Sequence, residues 1–205
     1  GTKKLLILIF SSLFILGGGF VFLMKVNSQP EQILASTFGA NTFTVSYFTD
    51  WKAKSELVVA DNPEFNNAVT FLDERDAESN EGNPISRNSH VLVARGLEPN
   101  TVYYYKVKTF LNTKYNEETY QVKTPKVSKE VRTPDPMYGE VVKDGGKPLA
   151  NVLVEVFAES ADGKRSTSIV TYTGSNGSYT ADLANLRTFD NSDYFCVSSL
   201  HSSIH

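Results

Sequence analysis

Three histidines, His90, His201 and His205, are the natural starting point in a search for metal or nucleophile chemistry. His201 and His205 are four residues apart, a spacing that suits a metal ion only if the segment is helical and a third ligand is present. They lie in a serine-rich tail that offers no third ligand. His90 alternates with Leu92 on a predicted strand, which favours a structural role. We therefore predict no metal site and no cofactor.

An acidic cluster in the middle of the chain is a second candidate, for calcium. It comprises Asp73, Glu74, Asp76, Glu78 and Glu81. Calcium loops of the best-known kind place a glycine at their centre and a bidentate glutamate at their end, and this spacing provides neither. The preferred interpretation is a solvated loop.

Motifs for covalent and phosphoryl chemistry are missing from the sequence. It contains no Gly-x-Ser-x-Gly elbow, no phosphate-binding loop and no Cys-x-x-Cys pair, and its single cysteine, Cys196, lies in the tail. Asn176-Gly177-Ser178 matches a glycosylation acceptor, but Asn-Gly is also typical of a tight hairpin turn, which explains it better. We predict no catalytic residue and a protein that is not an enzyme.

The composition indicates a folded protein without internal disulfides. The 205 residues are 40% hydrophobic, which is enough to form buried cores, and one cysteine cannot form an internal disulfide. The formal net charge of −3 becomes more negative when the N-terminal lysines are set aside, so nucleic acid is not an expected partner.

The N-terminus has an uncharged apolar run, residues 5–24, with Lys3 and Lys4 before it and Lys25 after it. Twenty residues of helix span about 30 Å, the thickness of the hydrocarbon layer. We predict an uncleaved membrane anchor at residues 1–25, a spacer at 26–30 and an extracytoplasmic body. The alternative is a cleaved signal peptide, which would make the protein secreted.

The remaining sequence alternates with the period of strands. Phe43, Val45 and Tyr47 alternate with small polar residues, and the same pattern returns around residues 57–59, 92–94 and 120–122. Residues 61–89 are polar and turn-rich, with one plausible strand near residues 68–72. We expect an all-β body in two units, separated by a proline-containing linker at residues 127–134.

The first unit resembles a fibronectin type III domain over residues 31–126. The resemblance rests on a corner motif of Leu97, Pro99, Thr101, Tyr103 and Val107. It implies that the Tyr103 ring is buried and that its hydroxyl bonds to nearby backbone. Period two along the strand then predicts that Tyr105 and Val107 face inward and Tyr104 outward. The sequence departs from the family at Tyr47, which stands where tryptophan is usual, and the Arg-Gly-Asp tripeptide of integrin ligands is absent.

The second unit resembles a carboxypeptidase regulatory-like domain, a transthyretin-like sandwich, over residues 135–193. The similar segments are residues 139–142, 144–152 and 173–179, in which glycine turns separate extended stretches. The resemblance implies an accessory module without catalytic residues. Residues 194–205 depart from the family pattern, so the second sandwich is expected to be incomplete.

These expectations favour a membrane-anchored surface module that displays, spaces or adheres. The first alternative is the accessory region of a larger secreted enzyme, such as a polysaccharide hydrolase or a metallophosphatase. The second is a carbohydrate-binding module, for which exposed aromatic side chains are required, and Tyr104, Phe110 and Tyr115 are the candidates.

Overall fold

The computed structural model describes residues 30–77, 84–110, 118–130, 132–195 and 199–204. The predicted anchor at residues 1–25 and Cys196 lie outside these ranges. Within them, no helix has the length and apolar character that crossing a membrane requires.

The described chain is almost entirely β, as predicted. The N-terminal unit contains β1 (Glu31–Gly39), β2 (Thr42–Ala60), β3 (Val69–Leu72), β4 (Arg87–Arg95), β5 (Val102–Phe110) and β6 (Tyr120–Lys123). A single helical turn, α1 (Glu74–Ala77), follows β3. The C-terminal unit contains β7 (Pro136–Glu140), β8 (Leu153–Glu159), β9 (Ile169–Tyr172), β10 (Ser178–Asp182), a 3₁₀ turn (Leu183–Asn185) and β11 (Ser199–Ile204).

The long strand β2 belongs to both sheets of the N-terminal unit. Its first part pairs with β1 and β4, and its second part pairs with β3 and β5, which in turn pairs with β6. The register breaks between Phe48 and Ala53. The side-chain amide of Asn88 fastens this bend by donating to the carbonyls of Thr49 and Asp50, at 3.0 and 2.9 Å. Two sheets therefore face each other across one core.

The core follows the predicted alternation. Phe43, Val45 and Tyr47 are fully buried, while the residues between them face the other side of the sheet. Leu57 and Val59 on the second part of β2, and Leu92 and Ala94 on β4, meet them in the same cluster. Burial of this apolar surface is the main source of stability for the unit.

The predicted tyrosine corner is confirmed. The Tyr103 ring is buried, and its hydroxyl oxygen accepts a hydrogen bond from the backbone N–H of Glu98 at 2.8 Å. Tyr105 is also buried and stacks on Tyr120 with ring centroids 5.2 Å apart. Tyr104, between them, is half-buried on the opposite face. Period two along a strand explains the arrangement.

The C-terminal unit consists of two small sheets. β7 pairs with β10, and β8 lies between β9 and β11. Val141, Val154, Val156 and Leu186 are buried between the sheets with the other members of one cluster. Gly177, in the Asn-Gly turn, has φ +78, and a Cβ there would lie 2.7 Å from the Val141 carbonyl oxygen. The turn interpretation of Asn176-Gly177 is therefore correct.

The last strand, β11, lies within the tail that departs from the family pattern. Ser199–Ile204 pairs antiparallel with β8, and His201 lies opposite Phe157. Serine-rich sequence has little strand preference of its own, so the pairing with β8 decides the conformation. His201 is therefore on a strand, and the helical geometry that a His201–His205 metal pair requires is not formed there. His205 lies outside the described residues.

Candidate functional site

The two units meet through the outer face of the sheet formed by β1, β2 and β4. Because His90 and Leu92 point into the N-terminal core, Val91 between them points outward. There it is buried against Leu153 and Val170 of the C-terminal unit. Leu34, Phe48 and Tyr172 extend this contact. We call this cluster the junction.

A strained residue in β1 connects the backbones of the two units. Thr37 has φ 47, in the left-handed region that β-branched residues rarely adopt, and it lies at an irregularity in the β1–β2 pairing. Its N–H donates to the Ser168 carbonyl at 2.8 Å, and its hydroxyl accepts from the Val170 N–H at 2.9 Å. Such strain costs about 1–3 kcal/mol and persists where surrounding contacts fix it. Here the two hydrogen bonds to the C-terminal unit help to fix it.

Arg187 forms a second connection. It is buried, and its Nε donates to the Phe38 carbonyl of β1 at 3.3 Å. Its guanidinium lies 4.4 Å from the ring centroid of Tyr194, and Arg132, just before β7, lies 4.5 Å from the same centroid. Burial lowers the pKa of Arg187, but arginine stays charged at neutral pH. The segment between the units is thus held to the C-terminal unit beside the junction.

A buried ion pair supports the junction from the N-terminal side. The Asp73 carboxylate accepts from Nε and Nη2 of Arg75, each at 2.8 Å, and from the Val91 N–H at 3.0 Å. Burial alone would raise the pKa of Asp73, but the hydrogen bonds and charge of Arg75 hold it below its usual range. Arg75 also donates to the Ser89 carbonyl at 2.5 Å and lies 5.5 Å from the ring centroid of Tyr172.

The prediction of a solvated loop is wrong for Asp73 and Asp76, which are buried. Asp76 is fully buried, and its carboxylate accepts from Nη1 of Arg87 at 2.5 Å and from the Ile85 N–H at 3.0 Å. Glu74 pairs with Arg95. Glu78 and Glu81 lie outside the described residues. Arg75 between the acids and Arg87 after them were the available signal, since buried carboxylates require such partners.

His90 has the structural role that the sequence predicts. It is buried, its ring stacks on Tyr47 with centroids 4.6 Å apart, and its Nε2 lies 3.1 Å from the Thr49 hydroxyl. Burial lowers the pKa of His90 to about 4, with the positive charges of Arg75 and Arg87 adding to the effect against the opposing charge of Asp73. His90 is therefore neutral at physiological pH.

Two buried hydroxyls near His90 are unsatisfied. Neither Tyr47 Oη nor Ser55 Oγ has a hydrogen-bond partner among the described residues, although Ser55 is close enough to moderate the pKa of Tyr47, which burial raises. Leaving a buried hydroxyl unpaired costs free energy. Tyr47 thus contributes mainly the volume of its ring to the core.

The aromatic candidates for a carbohydrate surface are not brought together in the described part of the chain. Tyr104 is half-buried in the middle of β5, opposite Gln121 of β6. Phe110 ends the same strand, and Tyr115 lies outside the described residues. Across the described ranges, no group of three His, Cys, Asp or Glu side chains is arranged to hold a metal ion.

No protein-family model matches the chain, and no curated protein sequence is significantly similar to it. The likeness to fibronectin type III and carboxypeptidase regulatory-like domains therefore stays a prediction.

Proposed function

We propose that the protein is a non-catalytic, membrane-anchored surface module, in which a fibronectin type III-like sandwich and a carboxypeptidase regulatory-like sandwich are held at a fixed angle. Its role is to space, display or adhere outside the cytoplasm. The anchor is the apolar run at residues 5–24. The mechanism is geometric, because a fixed angle between two sandwiches determines where their surfaces lie relative to the membrane.

The arrangement of the strands and the corner around Tyr103 support the proposal that the first unit is a fibronectin type III-like sandwich. One sheet contains β1, β4 and the first part of β2, and the other contains β3, β5, β6 and the second part of β2. This division of strands suits a fibronectin type III-like sandwich, and the Tyr103 to Glu98 hydrogen bond suits its corner. For the second unit, support comes from two packed sheets and from the glycine turns at residues 145–146 and 177.

The observation that most supports a fixed spacer is the junction. Two units joined only by a flexible linker would move independently. Here the two hydrogen bonds of Thr37, one from its N–H and one to its hydroxyl, cross between the units. The buried contact of Val91 with Val170 and the Arg187 connection cross as well. Several independent contacts oppose hinge motion better than any one of them.

Coupled unfolding tests the fixed junction. Val170 is 8% exposed at the contact, so Val170→Asp buries a charge there and should separate the units. Wild type is expected to unfold in one transition, whether followed by near-UV circular dichroism or calorimetry, and the variant in two. The matched control is Val127→Asp, at a side chain that is 67% exposed, which should behave as wild type. Two separate transitions in the wild type would contradict a rigid pair.

Fractionation of cells expressing a C-terminally tagged chain tests the location. The intact protein should remain with membranes after a carbonate wash, and external protease should remove the tag. Two charges within the apolar run, Leu13→Arg with Phe14→Arg, should release it, because charged residues are costly in the bilayer. A tag protected from protease in intact cells would refute the extracytoplasmic body.

A further inference from the structure

A groove opens beside the junction, between the two units. It has a volume of about 440 Å³, within the range of about 300–1,000 Å³ that small-ligand sites occupy. Val91 and Val93 of β4 line one side, and Val170 and Tyr172 of β9 line the other. Both units therefore contribute to its apolar lining.

Thr44 contributes to the lining of this groove. Thr44 is 4% exposed, and none of the hydrogen bonds within the described residues involves its hydroxyl. Ser36 pairs with Thr44 across β1 and β2, so its side chain is on the same face of the sheet. It is fully buried, and its hydroxyl is also unpaired among the described residues. Ser36 does not line the groove, whereas the Thr44 hydroxyl, which no described group uses, can donate to and accept from a ligand there.

Charge around the groove is balanced. Glu74 and Arg95 line it and form an ion pair with each other, and their side chains are 23% and 58% exposed. Together they present carboxylate acceptors and guanidinium donors with no net charge. Thr171 also lines the opposite wall. Because Glu74 and Arg95 neutralise each other, the groove offers no excess charge to balance that of a charged ligand. A neutral ligand with many hydroxyls could use both the carboxylate acceptors and the guanidinium donors.

We propose that this groove binds one neutral sugar residue of a glycan. A sugar ring has an apolar C–H face, which suits the valine and tyrosine lining, and a rim of hydroxyls, which suits Thr44, Glu74 and Arg95. Tyr172 contributes an aromatic ring, and the guanidinium of Arg75 lies 5.5 Å from its centroid. The site differs from the Tyr104, Phe110 and Tyr115 surface, because none of those residues lines it. The inference specifies a partner for the proposed adhesive role and rests on it for biological meaning.

Saturation-transfer NMR with the purified protein tests the proposal. The probes are the methyl glycosides of glucose, galactose, mannose and N-acetylglucosamine. At least one should bind with saturable affinity, and Thr44→Val, which removes the hydroxyl with little change in volume, should weaken it by about tenfold. Thr180→Val, at an exposed threonine on β10, is the matched control and should leave the affinity unchanged. Near-UV circular dichroism of each variant checks that the fold is retained.

Several outcomes would overturn the sugar site. Absence of binding by all four glycosides, equal affinity in Thr44→Val and wild type, or tighter binding of glucuronate or inorganic phosphate than of any neutral glycoside would each do so. These outcomes leave the membrane location and the coupled unfolding of the units untouched. Failure of the sugar site and failure of the proposed spacer role are therefore distinguishable.

Discussion

Protonation of His90 should destabilise the protein as the pH falls. The pKa of His90 is lowered from 6.5 to about 4 by burial, so the unfolded chain binds this proton more readily than the folded one. Stability is therefore fully present above about pH 6.5 and is lost as the pH falls towards 4. Each pH unit within this window costs about 1.4 kcal/mol, which gives about 2 kcal/mol by pH 5 and on the order of 3 kcal/mol at the end of the window.

Urea unfolding at pH 7, 6 and 5 measures this effect. The free energy of unfolding of the wild type should fall by about 2 kcal/mol over the range. His90→Gln removes the titrating group, so it should be less stable at pH 7 but show a much smaller slope. Thr180→Val, at an exposed threonine on β10, is the control, and its slope should match the wild type. Asp73 does not confuse the measurement, because Arg75 holds its pKa below its usual range and therefore below this window.

Equal slopes in wild type and His90→Gln would refute the reasoning. That result would mean that His90 can take up its proton without unfolding, for example by moving away from Tyr47. A shift of the His90 ring resonances near pH 6.5 in the folded protein, followed by NMR, would establish the same point directly.

Four further substitutions test the packing of the N-terminal unit by thermal or urea unfolding. Tyr103→Phe leaves the Glu98 N–H unpaired and should lower the free energy of unfolding by about 1–3 kcal/mol. Tyr104→Phe should change it by less than about 0.5 kcal/mol. Equal effects would contradict the inward orientation of Tyr103 and the outward orientation of Tyr104. Tyr47→Phe removes an unpaired buried hydroxyl and should be neutral or stabilising, so a loss above about 1 kcal/mol would reveal a partner for it. Asp73→Asn leaves a buried guanidinium uncompensated and should cost about 3–5 kcal/mol; a loss below about 1 kcal/mol would mean that the ion pair is open to water in solution.

The buried face of each strand and the positions of the turns could be predicted from the sequence, because both depend on residues that are close together in the chain. A strand with one buried face must alternate, so Phe43, Val45 and Tyr47 identify the inner face of β2 without further information. The corner around Tyr103 and the turn at Asn176-Gly177 depend on residues close together in the chain. Their conformations follow from backbone preferences that tertiary contacts leave unchanged.

The junction could not be predicted, because its contacts join distant parts of the chain. Val91 lies on the face of β4 that strand alternation assigns to solvent, and nothing local shows that Val170 covers it. The positive φ of Thr37 could not be predicted either, because β-branched residues rarely adopt that conformation. The burial of Asp73 and Asp76 could not be predicted because acidic stretches are usually exposed to solvent. Here the ion pairs with Arg75 and Arg87 allow both carboxylates to be buried.

The groove and the junction depend on each other. Thr44 and Glu74 belong to one unit and Thr171 and Tyr172 to the other, so the groove has its shape only while the units keep their relative position. Val170 is part of both the buried contact and the groove lining. A variant that separates the units should therefore also lose glycoside binding, even with Thr44 intact. A sugar bound across the two units should in turn stabilise their contact, since a ligand that binds only the docked arrangement shifts the equilibrium towards it.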